Sequence, residues 1–180
     1  MSLDARVIAG KYRHRKLLTL HNEITRATKD RVKEALFSAL NQELEGKVIL
    51  DLFAGTGALG IEALSRGAKR AIFCENNEEV SAILKHNIAF IEEETVVLTK
   101  SYEHVLSEIG ERSIDIIFLD PPYAYNIHTI IQEILAANIL KDAYIIAVET
   151  DKELVIPLND VKIKKYKYGL THVAIIRGIK

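Results

Sequence analysis

Two short stretches of this sequence hold residues whose types and spacing could do chemistry. The first is Asp51-Leu52-Phe53-Ala54-Gly55-Thr56-Gly57-Ala58-Leu59-Gly60, which follows an apolar run and opens a helical pattern. Gly55 and Gly57 let the backbone turn sharply and approach a ligand closely. The helix beyond offers unpaired N–H groups and a partial positive charge. Gly55, Gly57 and Gly60 fit the spacing of a dinucleotide turn, and Glu75 lies 20 residues after Gly55, where an acid would bind ribose hydroxyls. Asp51 pulls the other way. A carboxylate directly under the turn repels a pyrophosphate and attracts an ammonium group. S-adenosylmethionine combines an α-ammonium, a ribose for Glu75 and no phosphate. The candidate donor residues are Asp51, Phe53, Ala54, Gly55, Thr56, Gly57, Glu75 and Asn76, with a nicotinamide dinucleotide as the competing ligand.

The second stretch is Asp120-Pro121-Pro122-Tyr123, at the end of a later apolar run. An amino group on a nucleobase is a poor nucleophile, because its lone pair is delocalised into the ring. Two acceptors aimed at its N–H bonds favour a more tetrahedral nitrogen and line up the lone pair with a methyl–sulfur bond. The Asp120 carboxylate and the Pro121 carbonyl suit that task. Pro121 and Pro122 would hold them rigidly, since proline fixes φ and restricts the residue before it. Tyr123 can stack on an extruded base. The gain is positioning and preorganised electrostatics. Asp120 would also border the donor, because ligands of open α/β sheets bind beyond the carboxyl ends of the strands near the switch point.

The elements that must position these stretches can be read from periodicity. Arg6–Ala9 and Lys16–Leu20 read as short strands around a polar turn at 10–15. Thr28 is placed as N-cap of a helix running to about Gln42. Strands are expected at Lys47–Leu50, Arg70–Glu75, Thr95–Thr99, Ser113–Asp120 and Tyr144–Glu149. Helices are expected at Ala58–Arg66, Asn77–Ile91, Glu103–Ile109 and Ile127–Ala137. Val161–Lys167 and His172–Arg177 bracket Tyr168-Gly169-Leu170 as a closing antiparallel hairpin. Strand and helix alternating over residues 47–149 predict βαβ units and a mostly parallel sheet.

At 180 residues, with 48% hydrophobic and 27% charged residues, the chain has the composition of one ordinary globular domain. Apolar runs such as Ile114–Leu119 and Tyr144–Val148 fall well short of a membrane span. No charged-then-apolar leader opens the sequence, so a cytoplasmic location is expected. Cys74 is the one cysteine, which leaves no disulfide or cysteine metal site within the chain, and no metal is expected. Its place in an apolar run marks it as a small core residue.

Net charge is −1, yet residues 1–33 carry nine Lys/Arg against three Asp/Glu, while residues 34–180 carry fifteen against twenty-two. A basic arm on an acidic body suggests a phosphate backbone as partner. Lys11, Arg13, Arg15 and Lys16 are the expected phosphate contacts, with Arg26 and Arg31 nearer the donor pocket. The lysines between Lys162 and Lys167 alternate with Val161, Ile163 and Tyr166, as on the wet face of an edge strand.

With both stretches in hand, the sequence resembles the class I, S-adenosylmethionine-dependent amino-group methyltransferases. More closely, it resembles the bacterial small-subunit (16S) ribosomal RNA guanine-N2 methyltransferase family. The resemblance spans nearly the whole chain. It is carried by Arg6-Val7-Ile8-Ala9-Gly10, Thr25-Arg26-Ala27-Thr28, Val32-Lys33-Glu34-Ala35-Leu36-Phe37, the turn at Asp51–Gly57, Glu62-Ala63-Leu64-Ser65-Arg66-Gly67-Ala68 and Asp120-Pro121-Pro122-Tyr123. Where the family usually places an acid near the donor's adenine, this chain has Lys100-Ser101-Tyr102, and Ser101 is the candidate contact. The resemblance implies a Rossmann-like α/β fold with a seven-stranded, mostly parallel sheet, a C-terminal antiparallel hairpin and a small N-terminal β-hairpin. It also implies one methyltransferase domain over 1–180, with 1–27 as basic extension and 28–180 as core. The implied partner is ribosomal RNA or a small-subunit particle, with guanine as target and no membrane. The same tetrapeptide serves adenine-N6 enzymes, so a DNA adenine methyltransferase stays open, as do an NAD-dependent oxidoreductase and a non-catalytic RNA-binding module.

Overall fold

The computed structural model describes residues 2–20, 26–122, 124–155 and 160–178. In chain order the elements are β1 (Ser2–Arg6), β2 (Lys16–Thr19), α1 (Arg26–Leu40), a 3-10 turn (Asn41–Leu44), β3 (Val48–Asp51), α2 (Ala58–Ser65), β4 (Arg70–Cys74) and α3 (Glu78–Asn87). Then come β5 (Glu94–Leu98), α4 (Tyr102–Glu108), β6 (Ile114–Leu119), α5 (Ile127–Ala136), β7 (Leu140–Thr150), β8 (Val161–Tyr168) and β9 (Thr171–Gly178).

Seven strands form one sheet in the order β5-β4-β3-β6-β7-β9-β8, and β1 and β2 pair separately. The pairings among β3 to β7 are parallel, and β9 joins β7 and β8 antiparallel. β3 and β6 are buried along their whole length, as strands covered on both faces must be. Alternate residues feed two cores. Ile49, Phe73, Phe118, Ala147 and Ile175 meet α1, α2 and α3 on one face. Leu50, Ile72, Ile117, Ile146 and Ile176 meet α4 and α5 on the other. No helix among the described residues is long and apolar enough to cross a membrane.

Side-chain caps start two of the helices. The Asn77 side chain accepts from the N–H groups of Glu79 and Val80 to open α3, and Asn126 does the same for α5. Three expectations need correction. The first strand is Ser2–Arg6 rather than Arg6–Ala9, because the N–H groups of Ile8 and Ala9 turn inward to Glu62 at 2.8 and 3.0 Å. Helix α1 already contains Arg26, so Thr28 lies inside it and is not its N-cap. β7 starts at Leu140, earlier than Tyr144, with an irregular register between Ile114 and Ile116 of its partner.

The N-terminal segment is fastened to the core. Val7, Tyr12 and Leu17 belong to the α1-side core. Glu62 is fully buried and binds Arg66 Nε at 2.7 Å and Lys33 Nζ at 3.5 Å besides the two backbone donors. Lys33 also donates to the Arg6 carbonyl at 2.6 Å. Burial pulls the Lys33 ammonium below its usual range, and the Glu62 carboxylate works against that pull. Gly10 has φ +84°, and a Cβ there would overlap the Ser65 carbonyl, so only glycine lets the turn sit so close to α2.

Candidate active site

The strand order reverses direction at β3, which has β4 on one side and β6 on the other. A crevice must open there beyond the carboxyl ends of the strands. Phe73, Asp51, Phe118 and Ala147 lie level across β4, β3, β6 and β7. Two residues further along each chain stand Glu75, Phe53, Asp120 and Glu149. All four line one cleft of about 1110 Å³, more than a single drug-sized ligand needs. The two stretches picked from the sequence thus meet at neighbouring strand ends.

Asp51 lies beneath this row, 2% exposed, and its Oδ2 accepts the Gly60 N–H at 3.0 Å. It therefore closes the first turn of α2 from the strand, at the positive end of the helix. Burial pushes its carboxyl up to about 7, and the charges of Asp120 and Glu75 push the same way against the Gly60 bond. Gly55 (φ +53°) and Gly57 (φ +90°) take left-handed conformations. Gly57 packs on Leu84 behind the turn, while Gly55 faces the cleft and donates to Glu75 Oε2 at 3.0 Å. The other Glu75 oxygen accepts the Asn77 N–H at 2.8 Å. Glu75 thus ties the glycine turn to the start of α3, and each oxygen keeps a lone pair for a further donor.

The remaining donor candidates divide. Phe53 and Asn76 line the cleft. Ala54 and Thr56 act through backbone, Ala54 N–H to Cys74 O at 2.9 Å and Thr56 O from the Asn87 side chain at 2.9 Å. Ser101 does not line the cleft and is 2.9 Å from His104 Nδ1. Its neighbour Tyr102 faces the cleft instead, which the sequence reading missed.

On the acceptor side, Asp120, Pro121 and Pro122 line the cleft, and Tyr123 lies outside the described residues. Phe53, Tyr102 and Tyr125 form an aromatic trio with ring centroids 5.2–5.8 Å apart. Tyr102 is anchored by its hydroxyl, which donates to Glu133 at 2.8 Å. Glu149, Thr150 and Asp151 at the end of β7, and Gly169, Leu170 and Thr171 in the β8–β9 turn, complete the wall. The rule that ligands gather at strand carboxyl ends applied equally to the fifth strand, so the β7 residues had a signal in the sequence. Cys74 also reaches the wall but is 2% exposed, and burial pushes its thiol up to about 12.

The basic residues divide too. Lys11, expected on phosphates, is bridged by Glu92 at 2.8 Å and Glu93 at 2.9 Å. The Tyr12 hydroxyl donates to Glu93 at 2.6 Å, and the Lys11 N–H donates to Ser65 O at the far end of α2. Glu94 pairs with Arg70 at the amino ends of their strands. The tip of the arm therefore sits at the end of the sheet opposite the cleft. Arg13, Arg15 and Lys16 are exposed there or nearby, Arg15 with its guanidinium 4.9 Å from the Phe90 ring centroid. Arg31 is exposed and adjoins Val32, which lines the cleft. The side chain of Arg26 lies outside what is described.

A family profile described as conserved hypothetical protein 95 matches residues 5–177. The chain belongs to that family. Ribosomal RNA small subunit methyltransferase D of Haemophilus influenzae is 38% identical over 174 residues, covering 93% of this chain and 90% of the relative. The protein of the same name from Escherichia coli is 35% identical over 155 residues, covering 84% and 77%. Among solved structures, the yhhF chain of Escherichia coli, which carries a methyltransferase name, shares 30% identity at a TM-score of 0.86, covering 97% and 98%. The family's chain here has the Rossmann-like fold of class I methyltransferases, with the C-terminal antiparallel hairpin and the small N-terminal sheet.

Proposed function

We propose that this protein transfers a methyl group from S-adenosylmethionine to an exocyclic amino group of a nucleobase, guanine N2 in 16S ribosomal RNA. The observation that carries this is one cleft lined by Gly55 of the glycine turn, Glu75 and Asp120-Pro121-Pro122 at the next strand end, with Asp51 directly beneath the turn. The names of the relatives support ribosomal RNA as substrate, and the sequence resemblance supports guanine.

The residues present fit the donor. Glu75, Asp120 and Glu149 put three carboxylates in the cleft wall at the strand ends, where Glu75 and Asp120 already raise Asp51 beneath them, and Lys100 in the same wall is held by Glu108. Such a wall disfavours a pyrophosphate and favours a ligand that brings positive charge and hydroxyl donors. That argues against the dinucleotide reading. When bound, the donor supplies an electrophilic methyl group on a positively charged sulfur.

Asp51 would face the ammonium group, and Glu75 the ribose hydroxyls. Phe53, Tyr102 and Tyr125 give the cleft an apolar aromatic side suited to flat rings. Asp120 and the Pro121 carbonyl would accept the two N–H bonds of the target amino group. Pro121 and Pro122 keep them still, so little reorganisation is needed as charge develops on nitrogen. Tyr123 would cover the face of the base. Arg31, next in sequence to Val32 of the cleft, and Arg13, Arg15 and Lys16 would hold RNA phosphates farther from the reacting base.

The test is calorimetry with S-adenosylmethionine and NAD, followed by transfer of labelled methyl to 16S ribosomal RNA or duplex DNA. The proposal expects binding of the sulfonium donor and label in RNA. Binding of NAD alone, or label only in DNA, would overturn it.

A further inference from the structure

We infer that the β8–β9 hairpin is the element that grips the RNA beside the cleft, with Leu170 as a wedge and the β8 lysines as phosphate contacts. The inference rests on the RNA methyltransferase reading above and names a surface that reading leaves open.

The cleft needs a positive neighbour, because its own wall is acidic. The tip of the N-terminal arm lies at the opposite end of the sheet, and its Lys11 is taken up by Glu92 and Glu93. The β8–β9 turn, by contrast, contributes Gly169, Leu170 and Thr171 to the cleft wall. From that turn β8 runs away as the edge strand of the sheet. Over Val161–Tyr168 it carries four exposed lysines and no acid. Lys165 bonds Glu153 at 3.1 Å, whereas Lys162, Lys164 and Lys167 make no ion pair among the described residues. At about 3.3 Å per residue the strand reaches roughly 25 Å from the turn, with Lys162 and Lys164 on its α1 side and Lys165 and Lys167 on its α5 side, so its charges flank both sides of the sheet edge as a track leading out of the site. Val161 and Ile163 pack on the α5-side core, and Tyr166 and Tyr168 on the α1-side core. The track therefore has a fixed position.

Lysines on an edge strand also discourage edge-to-edge pairing, but that role does not account for Leu170. It is 89% exposed at the rim of the cleft. Proteins that take a base out of its stack insert apolar side chains of this kind between neighbouring bases. Leu170 is placed to fill the gap left by a base drawn toward Asp120, while the lysines hold the flanking phosphates.

The test compares the intact protein with K162Q/K164Q/K167Q and with Leu170→Ser. Binding of 16S ribosomal RNA is measured over a salt series, and methyl transfer and S-adenosylmethionine affinity are measured on the same samples. Each lost phosphate contact should flatten the salt slope by about 0.7–0.9, so the triple variant should lose about 2–2.7. Its donor affinity should be unchanged, which also reports that it is folded. Leu170→Ser should keep the salt slope and donor affinity and lose methyl transfer by roughly tenfold or more, on the scale of a weak unstacking contact. Hairpin-dependent RNA binding without methyl transfer by the intact protein would strike the catalytic reading and leave the hairpin assignment standing. A triple variant that binds RNA with the parental slope and affinity would overturn the inference.

Discussion

Asp51 should make donor binding depend on pH, with a midpoint near neutrality. Its carboxyl stands at about 7 in the ligand-free protein because it is buried and faces Asp120 and Glu75. An ammonium group binds the charged form, so donor affinity rises as pH rises through this value. One unit of pKa corresponds to about 1.4 kcal/mol, or tenfold. Between pH 7.5 and 5.5 the charged fraction falls about 25-fold, and affinity should fall with it. Asp51→Asn keeps an oxygen for the Gly60 N–H but never charges. It should lose roughly 1.5–3 kcal/mol of binding at pH 7.5 and show a flat profile. Folding has the opposite sign. A carboxyl raised above its unfolded value of 3.8 costs nothing below that value, and stability falls as pH rises toward about 7. Asp51→Asn should therefore stabilise the ligand-free protein at pH 8 while weakening the donor. Calorimetry from pH 5.5 to 7.5, with thermal melts at pH 5.5 and 8, reads both effects. A wild-type profile that stays flat, or an Asn variant that keeps the slope, would refute the reasoning.

Three further outcomes are expected. Asp120→Ala should lose methyl transfer by at least about a hundredfold, the scale of one preorganised acceptor, with donor affinity by calorimetry much less affected; wild-type turnover would count against the acceptor role. Glu62→Gln should cost about 3–5 kcal/mol in denaturant melts, because Lys33 is left buried without its counter-charge, and part of the loss should return toward pH 10 as Lys33 neutralises. Cys74 should react with a thiol reagent at pH 8 far more slowly in the folded protein than in denaturant, since its thiol stands at about 12; equal rates would contradict the buried placement.

Much of the fold was legible because the parallel strands announce themselves. Ile114–Leu119 is apolar except for Asp115 and is buried at every position, Asp115 included, where Lys141 pairs with it at 2.7 Å. The Asp51–Gly57 turn and the Asp120 tetrapeptide were legible for a related reason, as each follows such a strand directly. What local patterns could not give was long-range pairing. Nothing near Lys11 in sequence announces Glu92 and Glu93, 81 and 82 residues away, so charge counting made the arm tip look free. Glu62 looked like an ordinary helix residue until Ile8, Ala9, Lys33 and Arg66 converged on it. Tyr102 and Tyr125 join Phe53 only because β3, α4 and the loop before α5 meet at the cleft. The β8 lysines do lie on an edge strand, although on both of its sides rather than one wet face, and their continuity with the cleft depends on where the β8–β9 turn lands.

The central claim is tested most directly by mass mapping of ribosomal RNA nucleosides from cells lacking this protein, and from the same cells supplied with the intact chain or with Asp120→Ala. The account predicts that one N2-methylguanosine in 16S RNA disappears, returns with the intact chain and does not return with Asp120→Ala. An unchanged set of 16S nucleosides in the deficient cells, or a lost methyl group on adenine instead, would contradict it.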